Sequence, residues 1–258
     1  MQDLIKLDFV DLALAVAFMG VAIGLSAWEK IGLELSLALA TGRTILQLAV
    51  LGYVMEFIFS LDTPWAVLGI LAVILTISAL VARNRIDKKI PQMLPLVWGS
   101  IFISTSLTLI YTTLLILQPD KWYEPQYFIP LAGIVLGNAM NAAAIAGERF
   151  VSAIDANQLE IETHLSLGAT PWRAVAQYRQ EAVRAAFIPT LNQMLAIGLV
   201  TLPTIMSGQL LSGVNAREAA SYQILITFTI AFTNLLTTLL LTRGLSRQFF
   251  NSAAQLVR

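Results

Sequence analysis

Seven apolar stretches, each long enough to cross a lipid bilayer, constrain the fold of this chain more than any other feature of its sequence. A crossing helix needs about 20 mostly apolar residues. The stretches cover residues 9–27, 33–59, 65–82, 94–117, 127–147, 187–214 and 222–242. Of the 258 residues, 12% are charged, about half the fraction that is usual in soluble domains. The sequence therefore predicts an all-α integral membrane protein, a single transmembrane domain over residues 1–258 with about seven spans.

Lysine and arginine indicate how the spans are oriented, because cytoplasmic loops are enriched in both. If the basic loop at residues 83–89 is cytoplasmic and the spans alternate, twelve of the sixteen Lys and Arg residues lie on the cytoplasmic side and three on the outer side. Arg43 lies within the second span. We expect a multi-pass protein of the bacterial inner membrane, with its N-terminus outside and its C-terminus in the cytoplasm. The acidic start lacks the basic region of a signal peptide, so the first apolar stretch is expected to be retained.

Several classes of chemistry have no residues to support them in this sequence. The chain has no cysteine, which excludes disulfides and thiolate sites. It also has no HExxH pattern, no serine–histidine pair and no phosphate-binding glycine loop. We therefore expect neither enzymatic activity nor a cofactor in this chain.

Residues 155–181 form the longest interval without an apolar run of membrane length, and we call them the connecting segment. Apolar side chains recur there every three or four residues, as on one face of a helix: Ile161, Leu165, Ala169, Trp172 and Ala176. Gly168 is suited to end a first helix, and Thr170 and Pro171 are suited to begin a second. The pattern predicts a cytoplasmic helix-turn-helix.

The apolar stripe of the connecting segment requires a partner, and two partners are possible. An amphipathic connector could lie on the lipid surface. The polar face of this segment, however, mixes both signs of charge, which favours docking to a protein: Glu160, Glu162, Arg173 and Arg179.

Polar residues inside membrane spans are costly and often functional. The candidates for a substrate pathway lie in the second, fifth and sixth stretches: Arg43, Gln47, Asn138, Met140, Asn141, Asn192, Gln193, Met206 and Gln209. Arg43 could instead hydrogen-bond backbone carbonyls, and the asparagines could instead hold helices together.

The sixth stretch contains two prolines, Pro189 and Pro203, each of which removes a backbone hydrogen bond. We expect this span to kink, or to end near Leu202 and be followed by a short helix. A broken span bordered by amide and thioether groups is typical of transport sites. No carboxylate or histidine lies in the middle of a span, so tight binding of a hard metal is not expected.

Three motifs together resemble a known family. ETHLSLGATPW resembles the coupling helix of ABC-transporter permeases, because Glu162, Thr163 and His164 precede Gly168 with the spacing of the importers' Glu-Ala-Ala-x3-Gly signature. The two alanines and the following Ile-x-Leu-Pro of that signature are missing. IPLAGIVLGNAMNA and GLVTLPTIMSGQLLSGV are similar to the FetB-type iron-export permeases, which are related to plant proteins linked to aluminium tolerance.

The resemblance implies a permease that exports a metal ion, iron in that family, while ATP and Mg²⁺ are bound by a separate ATPase subunit. It assigns the coupling role to residues of the connecting segment: Glu160, Ile161, Glu162, Leu165, Gly168, Ala169, Thr170, Pro171 and Trp172. Seven spans are few for a complete pathway, so we expect a homodimer in the lipid bilayer with two ATPases, and no nucleic-acid partner.

A different class of function is an ion-coupled secondary transporter or channel without an ATPase. Such coupling usually uses carboxylates inside the membrane. Glu56, near the outer end of the second stretch, is the nearest example in the sequence, which disfavours this alternative.

Overall fold

A computed structural model describes residues 8–59, 63–86, 92–251 and 253–256 of the chain. The chain forms two compact units. The first unit, Met1–Asp62, contains helices α1 (Phe9–Trp28) and α2 (Glu34–Phe59). The second unit, Thr63–Arg258, contains the remaining helices. Several residues used above to orient the spans lie outside the described residues: Lys6, Lys88, Lys89 and Arg258. The single transmembrane domain stays a prediction.

The described residues of the second unit form eight α-helices and one π-helix: α3 (Pro64–Ile86), α4 (Met93–Tyr111), the π-helix Thr112–Leu117, α5 (Pro125–Ala156), α6 (Gln158–Ser166), α7 (Pro171–Ala174), α8 (Ala176–Ala196), α9 (Thr204–Leu211) and α10 (Ala216–Gln248). Within the part of the chain that the structure describes, six helices are long and apolar enough to cross a membrane, namely α1, α2, α3, α4 with its π-helix, α5 and α10. An all-helical, multi-pass membrane protein with about seven spans is therefore confirmed.

Local side-chain contacts define the ends of the helices in the first unit. The Asp11 carboxylate accepts a hydrogen bond from the Asp8 backbone N–H at 2.9 Å, at the start of α1. Between α1 and α2, the Ser26 hydroxyl donates to Glu34 at 3.0 Å and accepts from the Leu33 N–H at 3.2 Å. These bonds satisfy backbone groups that a helix end leaves unpaired.

Helices α5 and α10 form the centre of the second unit. Helix α5 packs against α3, α8 and α10, and α10 also packs against α4. Close packing depends on small residues, as is common between membrane helices. A methyl group added at Gly147 would collide with Ile86 of α3, and one added at Gly244 would collide with Leu96 of α4.

The predicted sixth span is broken into two helices. Helix α8 continues through Pro189 but ends at Ala196, earlier than Leu202, and Pro203 caps the short helix α9. The fifth helix is longer than its apolar stretch, because α5 extends to Ala156. The sequence left open whether the sixth span kinks or ends and is followed by a short helix. The structure shows the second arrangement.

A ladder of hydroxyl groups joins α4 and its π-helix to α10. Three hydroxyl pairs cross the interface: Ser104 with Thr237 at 2.5 Å, Thr108 with Thr233 at 2.9 Å, and Thr112 with Thr229 at 3.5 Å. Each step of four residues up α4 is matched by a step of four down α10, as two antiparallel helices require. All six residues are buried. The ladder therefore fixes the register of these two helices.

We predict that the ladder contributes measurably to stability. In a double-mutant cycle of Thr108→Val and Thr233→Val, the coupling free energy should be about 0.5–2 kcal/mol, because each single variant leaves one hydroxyl without its partner in the bundle. Thermal unfolding in detergent measures it. Ser221→Ala, an exposed position on the same α10, is the control. Strictly additive effects of the two valines would show that the ladder contributes no pairwise energy.

Candidate functional site

The corner of the connecting segment has the predicted helix-ending geometry. Gly168 adopts a positive φ of 88°, a conformation that glycine tolerates best. Its N–H donates to the Leu165 carbonyl, and the Ala169 N–H donates to the His164 carbonyl, both at 3.0 Å. This pair of bonds is the Schellman motif, which pairs the last carbonyls of a helix. Pro171 then begins α7, as expected, while the Thr170 side chain makes no capping hydrogen bond.

The connecting segment is anchored in the core of the second unit. Ile161 of α6 is fully buried, together with Ala174, Val175 and Tyr178. These residues belong to the same apolar cluster as Phe150 and Ile154 near the end of α5, and Leu165 packs against this cluster. Since close-packed interiors transmit strain, this shared cluster connects α6 mechanically to the end of α5 and the start of α8.

The phenol of Tyr178 on α8 is influenced by the carboxylate of Glu160 on α6. Burial, followed by the interaction with the Glu160 carboxylate, raises the pKa of Tyr178 to about 12. The neutral phenol is therefore favoured in the folded protein, because ionisation would place a second negative charge beside Glu160.

Arg179 of α8 stacks on Trp172 of α7 within the connecting segment. The Arg179 guanidinium lies 3.4 Å from the centre of the Trp172 ring, within the range of a cation–π interaction. Burial, and next the positive charge of Arg243 on α10, lower the pKa of Arg179. The stack therefore joins α7 to α8 within the connecting segment.

The surface that the segment presents differs from the predicted stripe. Ile161 faces the core and Leu165 packs against it, so the stripe does not form one docking face. The apolar side chains that point outward are Leu159 and Leu167, 80% and 81% exposed. They flank a shallow groove of about 280 Å³ that is also lined by Glu160, Thr163 and His164. Periodicity identified an apolar face of α6 correctly, but that face packs against the chain's own core.

The remaining residues predicted for coupling lie around this groove and the corner. Glu162 and Thr170 are exposed, Trp172 is 42% exposed, and Ala169 and Pro171 are half-buried. Their role in coupling stays a prediction.

Helix α8 runs without interruption from the connecting segment to the break in the sixth span. Its 21 residues from Ala176 to Ala196 correspond to about 30 Å at 1.5 Å per residue. Gly198 follows, with a φ of 77°, and its N–H donates to the Thr201 carbonyl at 3.0 Å. One continuous helix thus links the C-terminal part of the connecting segment to the helix break.

A cavity of about 210 Å³ lies at the break, and three helices contribute to it. Met194 comes from α8, Met206 from α9, and Gln223 with Thr227 from α10. Of the residues predicted for a pathway, Met206 lines this cavity.

The amide of Gln223 is held in one orientation. The Thr227 hydroxyl donates to the Gln223 backbone carbonyl at 2.8 Å, and the Gln223 Nε2 donates to the Thr227 oxygen at 3.2 Å. Because the Thr227 hydrogen is already used, the nitrogen of the amide must face Thr227. The Gln223 side chain is 6% exposed, and its Oε1 is buried with no hydrogen-bond partner among the described residues.

Three further buried amide oxygens lie on α9 and α10. Gln209 Oε1, Asn234 Oδ1 and Gln248 Oε1 have no hydrogen-bond partner within the described part of the chain, although the Asn234 Nδ2 donates to Thr190 of α8 at 2.9 Å. Gln223 and Asn234 are eleven residues apart, which places them on nearly the same face of α10. The sequence-based predictions did not include Thr190, Gln223, Thr227 and Asn234. The spacing of the last three along the final apolar stretch was the available signal.

The asparagines of α5 lie apart from this cavity. Asn138 donates to the Ile134 carbonyl of its own helix at 2.9 Å, and Asn141 accepts a hydrogen bond from Arg85 of α3 at 3.4 Å. Met140 packs against the large apolar cluster. These contacts match the alternative in which the asparagines stabilise the bundle, although no observation tests their part in transport.

The other predicted pathway residues do not line the cavity either. Asn192 and Gln193 are exposed on the last turns of α8. Arg43 and Gln47 lie one turn apart on α2, exposed, in the first unit. Among the described residues, no group of three or more His, Cys, Asp or Glu side chains could hold a metal ion.

The helical bundle with its broken span is that of a multi-pass membrane permease, and comparison with known proteins places it in a family. The uncharacterised protein family UPF0014 matches residues 9–250, and this chain belongs to it. A UPF0014 membrane protein of Synechocystis sp. is 50% identical over 254 residues, 98% of each chain. No solved structure matches this chain.

More distant relatives have names that refer to transport or metals. The probable iron export permease protein FetB of Escherichia coli is 36% identical over 247 residues, 96% of this chain and 94% of that protein. The protein ALUMINUM SENSITIVE 3 of Arabidopsis thaliana is 31% identical over 215 residues, 83% of this chain and 77% of that protein. The resemblance to the FetB-type family is confirmed.

We predict that Tyr178→Phe loosens the connecting segment and lowers the free energy of unfolding by about 1 kcal/mol at neutral pH. Because the pKa of Tyr178 rises from 10.0 to about 12 on folding, its contribution is fully present below pH 10 and is lost as the pH rises towards 12. Unfolding of the wild type and the variant across this range should therefore converge. Tyr53→Phe, at an exposed site, is the control, and a constant difference at all pH values would contradict the assignment.

Proposed function

We propose that this chain is the membrane subunit of an ABC transporter and that it exports a metal ion with ATP hydrolysed in a separate subunit. The name of the FetB relative supports export of iron. The observation that carries the proposal is the connecting segment: a capped helix pair, anchored in the core through Ile161, that presents Leu159 and Leu167 outward.

The groove around Leu159 and Leu167 has the chemistry of a protein-docking surface. Two leucines at about 80% exposure flank the carboxylate of Glu160 and the imidazole of His164, whose nearest atoms are 3.8 Å apart. An apolar centre with a polar rim is typical of protein interfaces. ATP and Mg²⁺ belong to the partner that docks here.

Movement of the partner reaches the membrane through α8. Ala174, Val175 and Tyr178 fix the start of this helix in the core, and its other end borders the cavity at Met194. A displacement of α6 by the ATPase therefore changes the geometry of the helix break. Two copies of the chain with two ATPases would complete the pathway.

The bias of Lys and Arg supports the orientation of this transporter in the bacterial inner membrane. The connecting segment would then lie in the cytoplasm, where ATP is available, with the N-terminus outside and the C-terminus inside.

We predict that Leu159→Glu combined with Leu167→Glu abolishes co-purification of the proposed ATPase subunit from native membranes, because the charges disrupt the apolar centre of the interface. Membrane insertion and thermal stability should not change, since both side chains are exposed. Gln158→Glu adds a charge at an exposed site of the same helix and serves as the control.

An unchanged amount of ATPase bound to the doubly substituted permease would contradict the docking surface. Transport without any ATPase, driven by a proton or sodium gradient in proteoliposomes, would instead establish the secondary transporter.

We predict that a single cysteine at Asp120 is labelled by an impermeant thiol reagent in intact cells and that one at Asn84 is labelled only after permeabilisation. The native chain has no cysteine, so no background labelling arises. The opposite pattern would reverse the proposed orientation.

A further inference from the structure

We propose that the connecting segment and the end of α10 form a binding site for the phosphate group of an anionic phospholipid, held by Arg179 and Arg243 beside the ring of Trp172. The site goes beyond the proposed transport function, because it requires neither the ATPase nor the transported ion. Its ligand is a component of the bilayer that surrounds the chain.

The first turns of α8 and the last turns of α10 pack side by side. Tyr178 of α8 shares one buried apolar cluster with Leu241 and Leu245 of α10. Arg179, which follows Tyr178, is half-buried, and Arg243, between the two leucines, is exposed. Burial, and next the positive charge of Arg243, lower the pKa of Arg179. Two cations from different helices therefore lie close together at the edge of one helix contact.

The described residues provide no carboxylate that neutralises this pair. Neither arginine forms an ion pair there, and Glu181 of α8 instead accepts a hydrogen bond from Gln177 at 3.0 Å. The dipole of α10 does not account for Arg243, because the basic residue of the last turn is Arg247. Since two neighbouring like charges disfavour each other, an anion bound between them stabilises both.

The stack on Trp172 holds the Arg179 guanidinium in a fixed plane. Its Cζ lies 3.4 Å from the centre of the ring, and its Nη1 is buried without a hydrogen-bond partner in the described part of the chain. Because the side chain as a whole is only half-buried, the opposite edge of the guanidinium stays accessible. Arginine presents its N–H groups as a planar fork that matches two oxygens of a phosphate. A fork that is already fixed loses less entropy when it binds.

Two features place the pair at the level of the lipid headgroups. Arg243 directly follows the last apolar stretch, residues 222–242, which spans about 30 Å at about 1.5 Å per residue, the thickness of the hydrocarbon core. Trp172 is 42% exposed, and tryptophan is enriched at the boundary between hydrocarbon and water. The anion available at this depth is the phosphate of a phospholipid.

The charge of the pair selects among phospholipids. The phosphate of phosphatidylcholine is joined to a quaternary ammonium group, which the two arginines repel. The headgroup of phosphatidylglycerol carries no cation. Basic sites between membrane helices accordingly favour anionic headgroups.

Native mass spectrometry of the purified full-length chain in detergent tests the site by titration with phosphatidylglycerol, with phosphatidylcholine and with inorganic phosphate. We expect one saturable phosphatidylglycerol site per chain. Arg243→Gln should weaken phosphatidylglycerol binding by at least about tenfold, because it removes a charge-assisted hydrogen bond. The position is exposed, so the variant should fold normally. Arg217→Gln removes the same charge from an exposed position at the other end of α10 and is the matched control.

Arg179 is tested by a graded pair of variants. Arg179→Lys keeps the charge but loses the planar fork, so it should weaken phosphatidylglycerol binding less than Arg179→Gln does. Equal phosphatidylglycerol affinity in the wild type and Arg243→Gln would overturn the inference. Inorganic phosphate or phosphatidylcholine that binds as tightly as phosphatidylglycerol would also overturn it, because the site would then not select an anionic lipid.

An acidic surface of a protein partner is the competing ligand, and the same variants distinguish it. If Arg243→Gln abolishes co-purification of the proposed ATPase but leaves phosphatidylglycerol affinity unchanged, the arginines belong to a protein interface and the inference is wrong. A chain that binds phosphatidylglycerol through both arginines but never binds an ATPase refutes the proposed function and leaves the lipid site.

Discussion

The burial of Ile161 is the contact on which the functional arrangement depends. This side chain of α6 is fully buried in the cluster that contains Phe150 and Ile154 of α5. Without it, α6 would be a surface helix joined to the bundle by a bend at Asn157 and a glycine corner at Gly168. With it, α6, the end of α5 and the start of α8 form one packed body. Because a close-packed body is stiff, we expect a displacement of α6 at Leu159 to move the start of α8 as well. The corner at Gly168 would then not have to bend.

The two sides of α10 differ in how completely their polar groups are paired. One side carries Thr229, Thr233 and Thr237, each bonded to a hydroxyl across the interface. Lipid provides little hydrophobic force between helices, so these bonds and the close approach at Gly244 hold α4 and α10 together. The side towards α8 and α9 carries Gln223 and Asn234, whose oxygens lack partners among the described residues. An unpaired buried acceptor costs about 1–3 kcal/mol. One side of α10 thus has paired polar groups and the other side has amide oxygens without partners among the described residues.

The sequence predicted those features that depend on neighbouring residues. Span lengths follow from hydropathy, and the corner at Gly168 and Pro171 follows from the backbone preferences of two residues. Helical periodicity found the apolar face of α6 but could not show whether the core or a partner covers it, since both bury the same side chains. The hydroxyl ladder and the cavity were missed because each joins residues more than 25 positions apart in the chain, Ser104 to Thr237 and Met194 to Gln223. The hydrogen bond of Asn141 to Arg85 was missed for the same reason, because the two residues are 56 positions apart in the chain.

The helix break and the hydroxyl ladder lie at different places in the second unit, and this limits what the proposed docking of an ATPase would move. Ala174, Val175 and Tyr178 hold the start of α8 in the core, whereas α10 is tied to α4 by three hydroxyl pairs. The non-helical residues 197–203 after α8 have no continuous helical hydrogen bonding. In the proposed transporter, a displacement of α8 would therefore change the backbone at the break before it separates α4 from α10, because loss of the ladder would leave buried hydroxyl groups unpaired.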